Sequence, residues 1–235
     1  MLELRDVVKR YEVGGCEIRA VDEVCMEVEQ GELVALYGPS GSGKTTLIEL
    51  VAGLKAPDSG SILVGGRDIV GMSRRELDRY RLRELGIVMP PSSLPPGARA
   101  ITTASLKLTS RLGMRAARRE IAPLMVELGL EDRMGHRVAQ LSMGERQRVS
   151  IALALSCDPG LVLADEPTAS LDRENTRSVL GLLRRLCREK KMALLVVTHD
   201  PEVAGYADRV RELRDGRLGE RLSAAVGPFG VPETL

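Results

Sequence analysis

Gly38-Pro39-Ser40-Gly41-Ser42-Gly43-Lys44-Thr45-Thr46 is the stretch that most limits what this chain can become. An apolar run, Leu33 to Leu36, precedes it and reads as a buried strand; Thr45 to Ala52 follows and reads as a helix stopped by Gly53. Strand, glycine-rich loop and helix, in that order, give the setting that the pattern G-x-x-x-x-G-K-[ST] needs. Glycine lets the main chain curl until several N–H groups face one anion, and the helix N-terminus adds partial positive charge. Gly38, Pro39, Ser40, Gly41, Ser42, Gly43, Lys44, Thr45 and Thr46 are therefore the candidate phosphate-binding residues. Lys44 brings a mobile cation to the outer phosphates, and the Thr45 hydroxyl is placed for Mg²⁺. A glycine turn beside a chance lysine would not require this strand-to-helix setting.

The rest of the chain reads as support for such a loop. Leu161 to Ala164 and Leu194 to Val197 are continuous apolar runs. Between them, Val179, Leu182, Leu183 and Leu186 recur at helical spacing. Unbroken apolar strands separated by a helix indicate parallel strands covered on both faces. The start differs. Leu2 to Val8 alternates and predicts a strand with one wet face, Tyr11 precedes a Gly14-Gly15 turn, and Val21 to Val28 predicts a second strand. Ser61 to Val64 with Gly65-Gly66 predicts a short hairpin, and Ser73-Arg74-Arg75-Glu76 is a capping box that starts a helix.

Pro90-Pro91-Ser92-Ser93-Leu94-Pro95-Pro96-Gly97 follows another buried strand, Gly86 to Met89, and reads as a stiff extended connector and internal boundary. From about 98 to 156 the period is helical: Ile121, Leu124, Met125 and Leu128 share a face, with Pro123 marking a start or kink. The expected architecture is α/β: a nucleotide-binding core with a mostly parallel sheet, a small antiparallel β portion, and an inserted α-helical subdomain at about 98–156. It spans 1–220, with a flexible tail at 221–235 rich in proline and glycine.

Composition narrows the partners. Aromatic residues are 2% of the 235, which leaves no stacking surface for single-stranded nucleic acid. Net charge is +1, so no global field steers the chain to DNA or anionic lipid, and no nucleic-acid partner is expected. The four cysteines, Cys16, Cys25, Cys157 and Cys187, show no paired or metal spacing and are expected to be small buried hydrophobes in a reducing compartment. With no signal peptide and no apolar run near 18 residues, the expectation is a soluble cytoplasmic protein that reaches a membrane only through a partner.

Two further groups carry chemistry. Asp165 and Glu166 end the Leu161–Ala164 run, where the carboxyl end of a parallel strand faces a ligand crevice. Asp165 suits Mg²⁺, directly or through water, and Glu166 can polarise an attacking water; the plainer alternative is a solvated acidic strand end. His199 ends the next apolar run and can reach the γ-phosphate and that water, whereas His136 lies in a loop without such placement.

Over about residues 2–220 the sequence resembles the ATP-binding subunits of ABC transporters. Gly38 to Thr46 matches their Walker A loop, and Leu141-Ser142-Met143-Gly144-Glu145 looks like their signature motif. Leu163 to Thr168 matches Walker B, Ser170-Leu171-Asp172 the D-loop, and His199 the switch histidine. Arg19-Ala20-Val21-Asp22, Gly38-Pro39-Ser40 and Thr198-His199-Asp200-Pro201 are most similar to the lipoprotein-release and macrolide-export branch. The resemblance implies an ATPase that uses Mg²⁺ on Thr45 and Asp165, with Lys44, Glu166 and His199 as the catalytic groups. It implies a membrane permease as partner, a place on the inner face of the cell membrane, and head-to-tail pairing with a second ATP-binding subunit. Each ATP would lie between the Walker A loop of one subunit and the signature of the other, so Ser142 and Gly144 would serve the partner's nucleotide. Tyr11 would stack on adenine, or else is a half-buried tyrosine near a strand end.

The sequence departs from that family at a few places. Pro90 stands where a glutamine ordinarily reaches Mg²⁺, Met143 where the signature has its first glycine, and Glu145 where it has its glutamine. Leu153 replaces a common arginine, and Thr102-Thr103 falls where an acidic partner is usual. The groups that hold ATP are present, while those that sense it or serve a partner's ATP are altered. Three readings stay open: a transport ATPase, as homodimer or half of a heterodimer with altered coupling; a nucleotide-responsive regulatory subunit with little turnover; and a soluble relative acting on DNA or the ribosome. The last would need coiled coils, tandem cassettes or basic arms that the sequence lacks.

Overall fold

A computed structural model describes residues 1–219; the expected tail, 221–235, lies outside them. In chain order the elements are β1 (Leu2–Val13), β2 (Cys16–Val28), β3 (Leu33–Tyr37), α1 (Lys44–Val51), β4 (Ser59–Val64), β5 (Arg67–Asp68), α2 (Arg74–Arg83) and β6 (Leu85–Val88). Then come α3 (Ala100–Ala104), α4 (Leu106–Glu127), α5 (Met143–Leu155), β7 (Leu161–Asp165), α6 (Arg173–Glu189), β8 (Ala193–Thr198), α7 (Pro201–Ala204), β9 (Arg209–Arg214) and β10 (Arg217–Leu218).

Two sheets form. One is antiparallel, in the order β2-β1-β4-β5; the other has six strands, β10-β9-β3-β8-β7-β6, in which β9, β3, β8, β7 and β6 run parallel. The parallel strands are apolar throughout because each side chain, up or down, enters a core. Leu33, Ala35, Val162, Ala164, Leu194 and Val196 pack with the helices α3 to α6 on one face. Val34, Leu36, Leu161, Leu163, Leu195 and Val197 pack on the other, with α1 and the antiparallel sheet. This is the α/β architecture that the sequence predicts, with longer antiparallel strands. β1 and β2 extend to a hairpin at Gly14 and Gly15, both at positive φ as a two-residue hairpin turn requires. In the outer part of β2, Cys16 to Arg19 are exposed at every position, so no alternation marks it in sequence.

The helical stretch departs from expectation at its prolines. Pro91–Ser93 is a turn of 3₁₀ helix rather than an extended connector, and Pro91 and Leu94 are buried against the helical side. Pro123 sits inside α4 on an exposed position; the break in that helix is at Gly113 (φ 72°, ψ 162°). Proline's fixed φ suits a helix and costs one hydrogen bond, whereas φ and ψ of this kind belong almost only to glycine. Ile121, Met125 and Leu128 are buried as expected, with Leu124 partly so. The cysteines do not share one fate. Cys187 is buried, its thiol pushed up to about 12 by burial, but Cys16 and Cys25 are exposed and Cys157 is intermediate. Cys16 and Cys25 sit at outward positions of β2, where strand geometry outweighs their preference for the interior.

Candidate functional site

The loop between β3 and α1 closes on itself. Lys44, 7% exposed, donates from Nζ to the carbonyls of Gly38 (2.7 Å) and Pro39 (2.6 Å) and lies 3.4 Å from Ser42 Oγ. Gly43 is the residue before the helix, at φ 103°, and a Cβ there would lie 1.9 Å from the Ala20 carbonyl oxygen. A Cβ on Gly38 would lie 2.2 Å from the Leu213 carbonyl oxygen. Both glycines are therefore required by approach of main chain to main chain, and Gly43 by its φ as well. Pro39, Ser40 and Gly41 are exposed, while Ser42 is buried.

β7 delivers its last residue, Asp165, to this loop: the Thr45 hydroxyl donates to Asp165 Oδ2 at 3.5 Å. Burial, and then the neighbouring Glu166 carboxylate, push the Asp165 carboxyl above the usual range; the Thr45 hydroxyl and Lys44 pull the other way. A half-buried carboxylate beside another is where a cation relieves repulsion, and hydroxyl plus carboxylate is an oxygen donor pair of the kind Mg²⁺ takes. Among the described residues no group of three or more His, Cys, Asp or Glu side chains can hold a metal by itself. An ion held by Thr45 and Asp165 would need its other ligands from elsewhere, as Mg²⁺ does when it keeps waters and substrate phosphates.

Glu166 turns out of the strand at φ 46°, a left-handed conformation that costs about 1–3 kcal/mol and clusters at functional sites. Its N–H still donates to the Val197 carbonyl (2.9 Å), which keeps it level with the end of β8. There the His199 N–H donates to Glu166 Oε1 (3.0 Å), the Thr198 hydroxyl donates to Oε2 (3.3 Å), and His199 Nδ1 lies 2.5 Å from Oε1. With Nδ1 turned to this carboxylate, the other ring nitrogen, Nε2, is left for a second partner. Lys44, Thr45, Asp165, Glu166 and His199 thus gather at the carboxyl ends of β3, β7 and β8, where parallel sheets place ligands.

Ser142, Gly144 and Tyr11 lie elsewhere. Ser142 caps α5: its hydroxyl accepts from the Glu145 N–H (3.2 Å) and Glu145 Oε2 accepts from the Ser142 N–H (2.8 Å). Glu145 Oε1 accepts from Arg133 Nε (2.7 Å), so this carboxylate is spent on its own helix and loop. Gly144 is pressed on Asn175, whose Oδ1 would lie 2.4 Å from a Cβ. Met143 is 37% exposed. The Tyr11 hydroxyl is held by Lys55 Nζ (3.0 Å), and its ring lies near both Lys9 and Lys55.

Several contributors were not visible in sequence. Thr198 looks like the last residue of an apolar strand, yet its hydroxyl orients Glu166. Ser150 is buried in α5 and bonds both the N–H (2.9 Å) and the carbonyl (2.8 Å) of Met89, tying that helix to the chain just before Pro90. Asp215-Gly216 is a two-residue turn signal, and its Gly216 N–H donates to the Ser42 carbonyl (3.1 Å) in the phosphate loop.

Comparison with known proteins places this geometry. The ABC transporter family model matches residues 21–169. The lipoprotein-releasing system ATP-binding protein LolD of Bordetella avium is 40% identical over 218 residues, covering 92% of this chain and 95% of that protein. The macrolide export ATP-binding/permease protein MacB of Burkholderia pseudomallei is 40% identical over 225 residues; this chain spans 34% of its length. Among solved structures, the dimeric bacterial ABC transporter cassette MJ0796 superposes with a TM-score of 0.86 at 31% identity, covering 97% of this chain and all of that one. The same cassette, in a dimeric post-hydrolysis state bound to ADP and Pi, superposes at 0.84.

Proposed function

The chain belongs to the ABC transporter family of ATPases, and we propose that it powers a membrane permease of the lipoprotein-release and macrolide-export type. The observation that carries the reading is the meeting of Lys44 and Thr45 with Asp165 and Glu166 at one rim of the sheet. The likeness to a cassette bound to ADP and Pi supports hydrolysis rather than binding alone.

In this reading the amides of Gly41 to Thr46 and the Lys44 ammonium take up the charge of the β- and γ-phosphates. Thr45 and Asp165 would hold Mg²⁺, which supplies charge neutralisation at the outer phosphates when bound. Glu166, held by Thr198 and His199, accepts a hydrogen bond from water and aligns it behind the γ-phosphate. His199 fixes the Glu166 carboxylate and presents its other ring nitrogen to the crevice. Tyr11 would meet the adenine ring, once its hold on Lys55 is exchanged.

The pairing of two subunits has support from the dimeric cassettes of the same fold. Ser142 and the α5 N-terminus would then meet the partner's nucleotide. No helix of the described residues is long and apolar enough to cross a membrane, so contact with the bilayer would go through a permease subunit. Pro90 and Met143 lie on the surface that would couple the nucleotide to that permease and to the partner site. The reading we favour is a cassette that binds and cleaves ATP, with altered coupling or as one half of a mixed pair.

Steady-state ATPase of the purified chain tests this. Glu166→Gln is expected to keep ATP binding and lower turnover by about 10²–10⁴. Lys44→Ala is expected to lose ATP binding. Equal turnover in the parent and Glu166→Gln would overturn the hydrolytic reading. Fast, cooperative turnover by the lone chain would overturn the mixed pair and leave a symmetric dimer.

A further inference from the structure

The phosphate loop is braced from behind by two distant segments, and one buried carboxylate holds them together. The Ser42 carbonyl accepts from the Gly216 N–H (3.1 Å), and the Gly216 carbonyl accepts from the Asp22 N–H (2.8 Å). Three main-chain approaches surround this relay. Gly43 abuts the Ala20 carbonyl, Gly38 abuts the Leu213 carbonyl, and a Cβ on Gly216 would lie 2.5 Å from the Arg19 carbonyl oxygen. Loop, β2 and the β9–β10 hairpin therefore meet backbone on backbone. Such contacts transmit position well but do not by themselves fix it.

Asp22 supplies the fixing. Its side chain is 5% exposed and lies between two guanidinium groups: Arg217 Nε at 2.7 Å, from β10, and Arg19 Nη1 at 3.1 Å, from β2. Removing either guanidinium takes away part of the charge that this enclosed carboxylate faces. Arg217 lies 195 residues along the chain from Asp22, so this contact binds the far end of the fold to the strand that backs the loop. The next residue, Glu23, is at φ 52°, where the pairing of β2 with β1 shifts register.

We propose that Asp22 is a positioning residue for the nucleotide. Through Arg217 and the Asp215–Gly216 turn it fixes where the Ser42 and Gly43 main chain sits, and so sets affinity for the phosphates without touching them. This rests on the ATP-binding role assigned above.

Asp22→Ala and Arg217→Ala, alone and together, test it. Arg217 is 73% exposed, so its replacement leaves the core intact even if Asp22→Ala proves hard to fold. Each variant is titrated with a fluorescent ATP analogue and assayed for kcat and KM, with Lys44→Ala as the non-binding reference. The expected result is about tenfold weaker binding and a matching rise in KM, with kcat within twofold of the parent. The double variant is expected to be no weaker than the worse single one, because both break one relay. Arg217→Lys, which keeps the charge, is expected to recover part of the affinity. Variants that lose thermal stability but bind as the parent does would overturn the inference, and so would fully additive losses. A parent that bound no ATP would overturn the ATP-binding role itself, whereas a binding parent with unchanged variants overturns this inference alone.

Discussion

The phosphate loop and the first turn of α5 are both glycine-bearing helix entrances, yet they are walled differently. Gly38 and Gly43 face main-chain carbonyls, of Leu213 and Ala20, at distances no side chain could share. Gly144 faces the end of an Asn175 side chain, and its neighbour Met143 is 37% exposed. Main chain cannot step aside without moving its strand; an amide on two rotatable bonds can. The first entrance is therefore walled by main chain and leaves no room for a Cβ at either glycine. The second is held by exchangeable contacts and can drift, and the departures from the family pattern at Met143 and Glu145 fall there.

Gly43→Ala should break the first entrance most sharply. The substitution meets both φ 103° and the Ala20 carbonyl, and is expected to cost about 2–4 kcal/mol of stability. ATP binding should fall about a hundredfold or more by equilibrium titration. Binding equal to the parent would mean that the backbone wall does not set the loop. Ser150→Ala comes next, on the second side. It strips both hydrogen bonds from Met89, and chemical denaturation should show a loss of about 1–3 kcal/mol. ATP affinity of the lone chain should hold within twofold. Gly144→Ala should cost less, about 1 kcal/mol, because Asn175 can turn away. A cost as large as that of Gly43→Ala would erase the contrast.

The smallest effect is on pH. Asp172 caps α6, and the Asn175 N–H and then its amide hold the Asp172 carboxyl below the usual range. A carboxyl lowered in the folded chain stabilises it above the ordinary carboxylate pKa. That contribution drains as pH falls through the lowered value. The difference in stability between the parent and Asp172→Asn should therefore stay level from about pH 8 to pH 5 and close below about pH 4. A difference that stayed level through about pH 2 would show that the cap acts without its charge.

Local features were legible in the sequence, and long-range ones were not. The loop, its strand and its helix read correctly because strand, glycine turn and lysine lie within one short segment. Asp165, Glu166 and His199 were legible because each ends an apolar run. The Ser73 capping box read as a helix start and is one. Pro90 to Gly97 misled because proline signals stiffness and says nothing of where Pro91 and Leu94 will pack. Pro123 misled because its fixed φ is a helical one, while the true break, Gly113, carries no neighbour that betrays it. The Asp22–Arg217 contact spans nearly the whole chain, and no window of sequence contains both residues.

The parallel sheet serves as a party wall between two interiors. Alternate residues of β3, β7 and β8 belong to different hydrophobic clusters, so no strand can tilt toward one side without opening a gap on the other. Lys44, Thr45, Asp165, Glu166 and His199 stand on the rim of that wall. A cavity carved on either side, at Leu194 or at Leu195, is therefore expected to reach the hydrolytic centre by loosening its shared foundation, with no single residue acting as messenger.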